Sequence, residues 1–197
     1  MSDLKQQLEF VLELDRLKAV YRQTFVKPDN NRNENSAEHS WHIAFMANIL
    51  HEYAEDDVNI SRVTNMLLIH DVVEIDAGDL FAFTEQAAQD SQKNEELKAA
   101  ERIFGLLPEK QFKFMQGLWI EFEDALTVDA KFAKAMDRLL PLIQNMYNDG
   151  GSWAKHKVAK TQVLKRNHYL KQSTPKLWKY ACDQIDLAVS NGWLTGE

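Results

Sequence analysis

The sequence predicts an all-α domain, and three observations support this fold class. Apolar residues recur at spacings of three and four along almost the whole chain, which is the pattern of amphipathic helices. The 197 residues include only 7 Gly and 4 Pro, and so few breakers favour long helices over many short strands. We find no convincing strand pair, internal repeat or low-complexity tract, so the length fits one helical domain.

The first half of the chain predicts three helices. Regularly spaced leucine and valine residues indicate a first helix that ends near Tyr21. The polar loop KPDNNRNENSAEH follows, and Asn35 or Ser36 is expected to cap a second helix, which ends near Tyr53. A third helix is predicted over 60–75, before the turn sequence DAGD.

The second half of the chain predicts helices that are interrupted once by the strong break NDGGS. After an irregular segment, helices are expected over 93–104, 108–122, 125–147, 152–171 and 175–190. The whole chain therefore predicts a bundle of about seven to nine helices. We divide it into a core at 1–150 and a helical C-terminal extension at 151–197 that packs on the same domain.

Composition and charge indicate which partners the protein is expected to lack and which cellular compartment it is expected to occupy. The formal net charge of −7 offers no global basic field for a nucleic-acid backbone. No apolar run approaches the roughly 20 residues that a membrane span needs, and the start MSDLKQQLEF is not a signal peptide. The single cysteine, Cys182, fits a reducing compartment. We therefore expect a cytoplasmic protein with no nucleic-acid or membrane partner.

The segment IHDVVEIDAGD concentrates ionisable groups directly after an apolar run. His70 and Asp71 are neighbours, and Glu74 lies one helical turn further along the same face. Burying these groups without partners would cost several kcal/mol, and a divalent metal ion would be a partner for all of them. The alternative interpretation is a capped helix end with solvated acids.

Two further residues extend the pattern. His39 opens an amphipathic helix after the polar loop, and Asp137 lies among apolar residues in the middle of a long helix. For Asp137 alone, a salt bridge to Lys134 or Arg138, or exposure on the polar face, is the competing interpretation. The candidate residues follow the order H…HD…D along the chain.

This ordered pattern resembles the HD-domain metal-dependent phosphohydrolases. The stretch LDRLKAVYRQTFV, the loop RNENSAEHS, the block IHDVVEIDAGD and the helix KFAKAMDRL occur in the order seen in one branch of that family. That branch includes bacterial 5′-deoxynucleotidases and the HD-domain-containing protein 2 type. The resemblance covers roughly residues 8–150 and implies a helical hydrolase, commonly a homodimer.

The resemblance also implies a role for each candidate residue. It identifies one set as metal ligands, namely His39, His70, Asp71 and Asp137. It implies that Glu74 handles protons near the phosphate and the attacking water, and that Asp79 orients the site. It implies that Arg22 reaches the substrate phosphate, and it matches Arg32 to a recurring arginine of the loop.

The residue types fit this chemistry independently of the family. Two imidazoles and two carboxylates form a mixed nitrogen and oxygen site with positions left for water. Such a site suits one divalent ion: Mn²⁺, Co²⁺, Fe²⁺, Ni²⁺, Zn²⁺ or Mg²⁺. An arginine binds phosphate through paired N–H donors, and a nearby glutamate can transfer a proton.

The basic segment KHKVAKTQVLKRNHYLK, residues 155–171, is interpreted as a surface helix with a solvated face, and binding of an anionic partner is the alternative.

We expect a phosphohydrolase that acts on nucleoside or deoxynucleoside 5′-monophosphates. Two alternatives stay open. The first is hydrolysis of a nucleotide polyphosphate, cyclic dinucleotide or alarmone, and the second is a non-catalytic ligand-binding module.

Overall fold

The computed structural model describes residues 2–196 and confirms the all-α fold class. Within these residues, the α-helices are α1 (Asp3–Glu13), α2 (Ser36–Leu50), α3 (Ile60–Ile69), α4 (Glu74–Ala77), α5 (Gln86–Phe104), α6 (Glu109–Asp124), α7 (Val128–Tyr147), α8 (Gly151–His156), α9 (Lys160–Arg166), α10 (Tyr169–Ser173) and α11 (Pro175–Ser190). Several are single turns, which is why their number exceeds the expected seven to nine. No helix in this range is both long and apolar enough to cross a membrane.

The helices that carry the candidate residues begin at well-defined caps. The Asn35 side chain accepts a hydrogen bond from the backbone N–H of Glu38, and the Glu38 carboxylate accepts one from the backbone N–H of Asn35. This capping box satisfies two N–H groups that would otherwise lack partners, and it confirms Asn35 as the cap of α2. Thr127 caps α7 by accepting from Ala130 N–H.

A short antiparallel strand pair, β1 (Tyr21–Val26) and β2 (Arg32–Asn35), shows that the expectation of no strand pair was wrong. The chain leaves α1 at Glu13, continues as a six-residue 3₁₀ helix, Leu14–Ala19, and enters β1 at Tyr21. The helical stretch therefore ends near Tyr21 as predicted, but its last part is 3₁₀ rather than α. In β1 only Thr24 is fully buried, so no alternation of apolar and polar residues marks the strand.

The third predicted helix is also broken. α3 ends at Ile69, and a turn separates it from the single turn α4. His70 and Asp71 therefore lie at the carboxyl end of a helix rather than inside one. Further along, Lys157 adopts a left-handed conformation with φ of 52°, which ends α8 and divides the helix predicted over 152–171.

Two apolar clusters form the core. The larger cluster joins α2, α3 and α7 to the last four helices, with Ile43, Met66, Leu139 and Ile185 fully or almost fully buried. The smaller cluster joins α1, α5 and α6 and includes Val72 from the turn after α3. This turn therefore lies where the two clusters meet. The division of the chain at residue 150 stays a prediction.

Candidate metal centre

Three separate elements bring His39, His70 and Asp137 together. His39 comes from the first turn of α2, His70 from the end of α3, and Asp137 from the middle of α7. All three are buried, and one possible ligand atom from each lies within 4.8 Å of those of the others. Two imidazole nitrogens and a carboxylate oxygen at this spacing fit a divalent transition metal ion.

A backbone hydrogen bond orients the His70 ring toward the centre of the group. His70 Nδ1 lies 2.8 Å from the Leu67 carbonyl oxygen, an acceptor, so Nδ1 carries the proton and Nε2 is left free to bind an ion. His70 Nε2 lies 2.9 Å from Asp71 Oδ1 and 3.5 Å from Asp137 Oδ1. Asp71 and Asp137 thus flank the nitrogen that faces the centre.

His39 is oriented by Glu34, a residue that the sequence analysis did not single out. His39 Nε2 lies 3.2 Å from Asp137 Oδ1, and Nδ1 lies 3.2 Å from Glu34 Oε2. Glu34 is buried and accepts hydrogen bonds from Thr24 Oγ1 at 3.0 Å and Gln144 Nε2 at 2.6 Å. A carboxylate behind a histidine fixes the ring and makes the facing nitrogen more basic.

The electrostatics of the centre favour a bound cation. Burial opposes charge on Asp137, yet Arg138 and the two histidines hold the pKa of that carboxyl well below its usual range. Burial likewise favours neutral His70, but the negative charge of Asp71 and Asp137 raises its pKa to about 10. The carboxylates therefore draw a positive charge onto the centre, and a metal ion would release the proton that His70 otherwise holds.

Asp71 lies at the edge of the three-residue group. Its Oδ1 faces His70, and its Oδ2 accepts a hydrogen bond of 2.6 Å from Arg22 Nη1. The negative charge of Asp71 is thus shared between the centre and the arginine. The role of Asp71 as a fourth metal ligand stays a prediction.

Arg22 is surrounded by carboxylates. Its Nη1 lies 3.8 Å from Glu74 Oε1 and 3.7 Å from Asp79 Oδ1, and its Nε lies 3.9 Å from Glu34 Oε2. Burial acts against the charge of Arg22, yet the negative charges of Asp71, Glu74, Asp79 and Asp137 raise its pKa. Arg22 therefore holds one wall of acidic side chains in place.

The two acids predicted to act in catalysis are members of this wall. Burial and the nearby charge of Asp71 raise the pKa of Glu74 well above its usual range, and Ser36 Oγ donates a 2.6 Å hydrogen bond to Glu74 Oε2. Burial and Asp71 also raise the pKa of Asp79. A carboxyl group whose pKa is raised in this way holds its proton more readily, as a catalytic proton donor must.

Arg32 lies elsewhere. Its exposed guanidinium donates to both carboxylate oxygens of Glu38, at 2.6 and 2.9 Å, and pairs with Asp29. These contacts fix the hairpin to the start of α2. The structure therefore does not bring Arg32 to the other candidate residues.

A cavity of about 400 Å³ opens beside the centre. It contains two arginines that the sequence analysis did not propose for the site, Arg138 and Arg166. Arg138 was considered only as a salt-bridge partner of Asp137, and its Nη1 does lie 2.9 Å from Asp137 Oδ2. Arg166 belongs to the segment interpreted as a solvated surface helix, and no local pattern in the sequence distinguishes it. Other lining residues include His70, Asp71, Glu74, Asp79, Phe122, Lys134 and Asp137.

Comparison with known proteins places this geometry in context. Residues 14–178 match the sequence model of a protein family that is described as HD domain. The human protein named 5′-deoxynucleotidase HDDC2 is 30% identical over 137 residues, which cover 70% of this chain and 65% of the human protein. The chain thus spans slightly less than two thirds of that relative. A 5′-deoxynucleotidase of Pectobacterium atrosepticum is 27% identical over 169 residues, covering 81% of this chain and 82% of the relative.

A solved structure is similar over nearly the whole chain. It is described as a predicted metal-dependent phosphohydrolase from Magnetospirillum magnetotacticum MS-1. It superposes with a TM-score of 0.92 at 47% sequence identity, covering 98% of this chain and 96% of that one. The similarity therefore includes every helix that contributes to the candidate metal centre.

Proposed function

This chain belongs to the HD-domain family, and from that premise we propose that it is a metal-dependent phosphohydrolase of nucleoside or deoxynucleoside 5′-monophosphates. The products would be the nucleoside and inorganic phosphate. The observation that carries the proposal is the buried group of His39, His70 and Asp137 beside an open cavity. The names of the human and Pectobacterium relatives support the choice of substrate class.

In this proposal His39, His70 and Asp137 hold one divalent ion, with Asp71 as the fourth ligand. When bound, such an ion lowers the pKa of a water molecule and polarises a phosphoryl oxygen. The ion could be Mn²⁺, Co²⁺, Fe²⁺, Ni²⁺, Zn²⁺ or Mg²⁺, because the residue types do not select among them.

The remaining residues of the acidic wall handle protons and position the reacting groups. Glu74, with its raised pKa, would transfer a proton between the attacking water and the leaving alkoxide, which is a poor leaving group without one. Asp79 would orient the site through its ion pair with Arg22, and Arg22, which lines the cavity, would reach the substrate phosphate there. Arg32 has no part in this proposal, because its guanidinium pairs with Glu38 and Asp29.

A panel of phosphate-release assays tests the proposal. The purified protein is stripped with a chelator, reloaded separately with each divalent ion, and assayed with nucleoside and deoxynucleoside 5′-monophosphates. We expect ion-dependent phosphate release from at least one monophosphate and none from the stripped protein. Turnover restricted to a polyphosphate, cyclic dinucleotide or alarmone would replace the substrate class. Metal binding without any turnover would favour a ligand-binding module.

We also propose that the protein is a homodimer in the cytoplasm. One face of α2 supports the dimer, since Trp41, Phe45 and Ile49 are 61%, 62% and 63% exposed at four-residue spacing. Light scattering coupled to size-exclusion chromatography is expected to give twice the mass of one chain. Phe45→Glu is expected to lower the measured mass to that of a single chain.

The unpaired Cys182 supports the cytoplasmic location, which fractionation of cells would test.

A further inference from the structure

We propose that Arg138 and Arg166 form a clamp for the phosphate group of the substrate, separate from the acidic wall around Arg22. The proposal deepens the proposed function, on which it rests, by identifying the residues that recognise the phosphate. It concerns two side chains that reach one cavity from different helices.

The position of the two arginines is the first observation. Arg138 follows Asp137 directly on α7, and Arg166 is the last residue of α9. Both line the cavity of about 400 Å³ that His70, Asp71 and Asp137 also line. An anion between the two guanidinium groups would therefore lie in the same cavity as the candidate metal ligands.

The supply of counter-charges is the second observation. Arg22 has four carboxylates within 4.0 Å, so its charge is already balanced by the protein. Arg138 has one ion-pair partner, Asp137, which is shared with both histidines. The carboxylates that favour the charge of Arg166 are Asp137 and Asp79, and their ion pairs within 4.0 Å are formed with other side chains, among them Arg138 and Arg22. The two arginines on the α7 and α9 side of the cavity thus have fewer close carboxylates than Arg22 has on the opposite side.

The environment of Arg166 opposes its positive charge. Burial acts against the charge and Arg138 and Arg22 add repulsion, and together these outweigh the favourable charges of Asp137 and Asp79, so the pKa of Arg166 is lowered to about 9. Two arginines that repel each other in a partly buried cleft are stabilised when an anion binds between them. The planar guanidinium donors match the oxygens of a phosphate group and bind them through paired hydrogen bonds.

The test uses the metal-loaded protein and inorganic phosphate as the probe. Arg166→Gln and Arg138→Gln remove one cation each, and Arg166→Lys keeps the charge but loses the fork of donors. Lys165→Gln is the matched control, because it removes a positive charge from the exposed neighbour of Arg166 on the same helix. Calorimetry gives the affinity for phosphate, assays give KM and kcat, and elemental analysis gives the metal content.

We expect Arg166→Gln to weaken phosphate binding and raise KM by about tenfold or more, the usual effect of losing a hydrogen bond to a charged group. Metal content and melting temperature of Arg166→Gln are expected to equal those of the parent. Arg166→Lys is expected to recover part of the phosphate affinity, and Lys165→Gln is expected to change neither the phosphate affinity nor KM. Phosphate affinity and KM within twofold of the parent in Arg166→Gln and Arg138→Gln would overturn the clamp, as would a parent protein that does not bind phosphate.

The outcomes separate the clamp from the proposed function. A parent protein that binds phosphate through both arginines but hydrolyses no monophosphate would disprove the function and support the clamp. A parent that hydrolyses monophosphates with unchanged KM in both glutamine variants would do the reverse. If Arg166→Gln does not fold, Arg166→Lys and Arg138→Gln provide the same comparison.

Discussion

The two walls of the cavity differ in the balance between arginine and carboxylate side chains. On the wall formed by β1 and the turn after α3, Arg22 is matched by Asp71, Glu74, Asp79 and Glu34. On the wall formed by α7 and α9, Arg138 pairs with Asp137, and the carboxylates that favour the charge of Arg166 form their close ion pairs with other side chains. The acidic wall and the histidines need a cation, whereas the basic wall needs an anion. A metal ion and a phosphate group together satisfy both.

The largest effect is expected from removing a ligand of the ion. His39→Ala should lower phosphatase activity by about 10³-fold or more, because several kcal/mol of transition-state stabilisation depend on the metal. Steady-state assays with excess metal ion measure it, and His42→Ala on the same helix is the matched control. Activity near that of the parent would show that the acidic wall works without the ion.

Glu74 tests whether that wall also supplies the proton. Glu74→Ala should reduce turnover by about 10² or more, the usual contribution of a general acid or base. Metal content should stay unchanged, because Glu74 contacts Ser36 and Arg22 rather than the three-residue group. Single-turnover rates and elemental analysis measure the two quantities, and retained activity would remove Glu74 from the mechanism.

Glu34 tests the support behind His39. Glu34→Gln keeps the size of the side chain but removes the charge that faces His39 Nδ1 at 3.2 Å. Metal affinity should fall by about 10- to 100-fold, as found for carboxylates that orient metal-binding histidines. Competition with a fluorescent chelator measures the affinity. An unchanged affinity would mean that burial alone fixes the ring.

The smallest effect concerns pH and a third acid at the cavity. Burial and the neighbouring Glu123 raise the pKa of Glu96 from its ordinary 4.5 to about 7. Between these pH values the folded chain holds a proton that the unfolded chain releases, so this group lowers the free energy of unfolding as pH rises from 4.5 to 7. Glu96→Gln should therefore stabilise the protein at pH above 7 by about 1 kcal/mol, a figure reduced for solvent screening.

Urea unfolding at pH 5 and pH 8 measures that difference. The parent should lose more stability between the two pH values than Glu96→Gln does. Glu95→Gln is the control, since Glu95 is an exposed neighbour on the same helix. An equal change in the free energy of unfolding between pH 5 and pH 8 for the parent and Glu96→Gln would contradict the raised pKa of Glu96.

The sequence predicted the acidic side of the site better than the basic side, and the reason is physical. His70, Asp71 and Glu74 stand together after an apolar run, so their burial and need for a partner are visible locally. Asp137 is likewise conspicuous among the apolar residues of α7. These signals do not depend on tertiary contacts.

Arg166 and Glu34 carry no such signal. Arg166 lies among lysines in a segment typical of a solvated surface, and only the tertiary packing of α9 brings it to the cavity. Glu34 is one polar residue in a polar loop, and it is buried because β2 pairs with β1. The strand pair was itself missed, since β1 lacks alternating burial. Long-range packing therefore decides what local patterns cannot.

The metal stoichiometry of the parent and of Asp137→Ala tests the central claim most directly. Both proteins are stripped with a chelator, reloaded with a divalent ion and desalted, and their metal content is measured by inductively coupled plasma mass spectrometry. The account predicts one ion for each parent chain and close to none for Asp137→Ala, with both proteins folded. A parent chain that retains no ion, or a variant that retains as much as the parent, would contradict it.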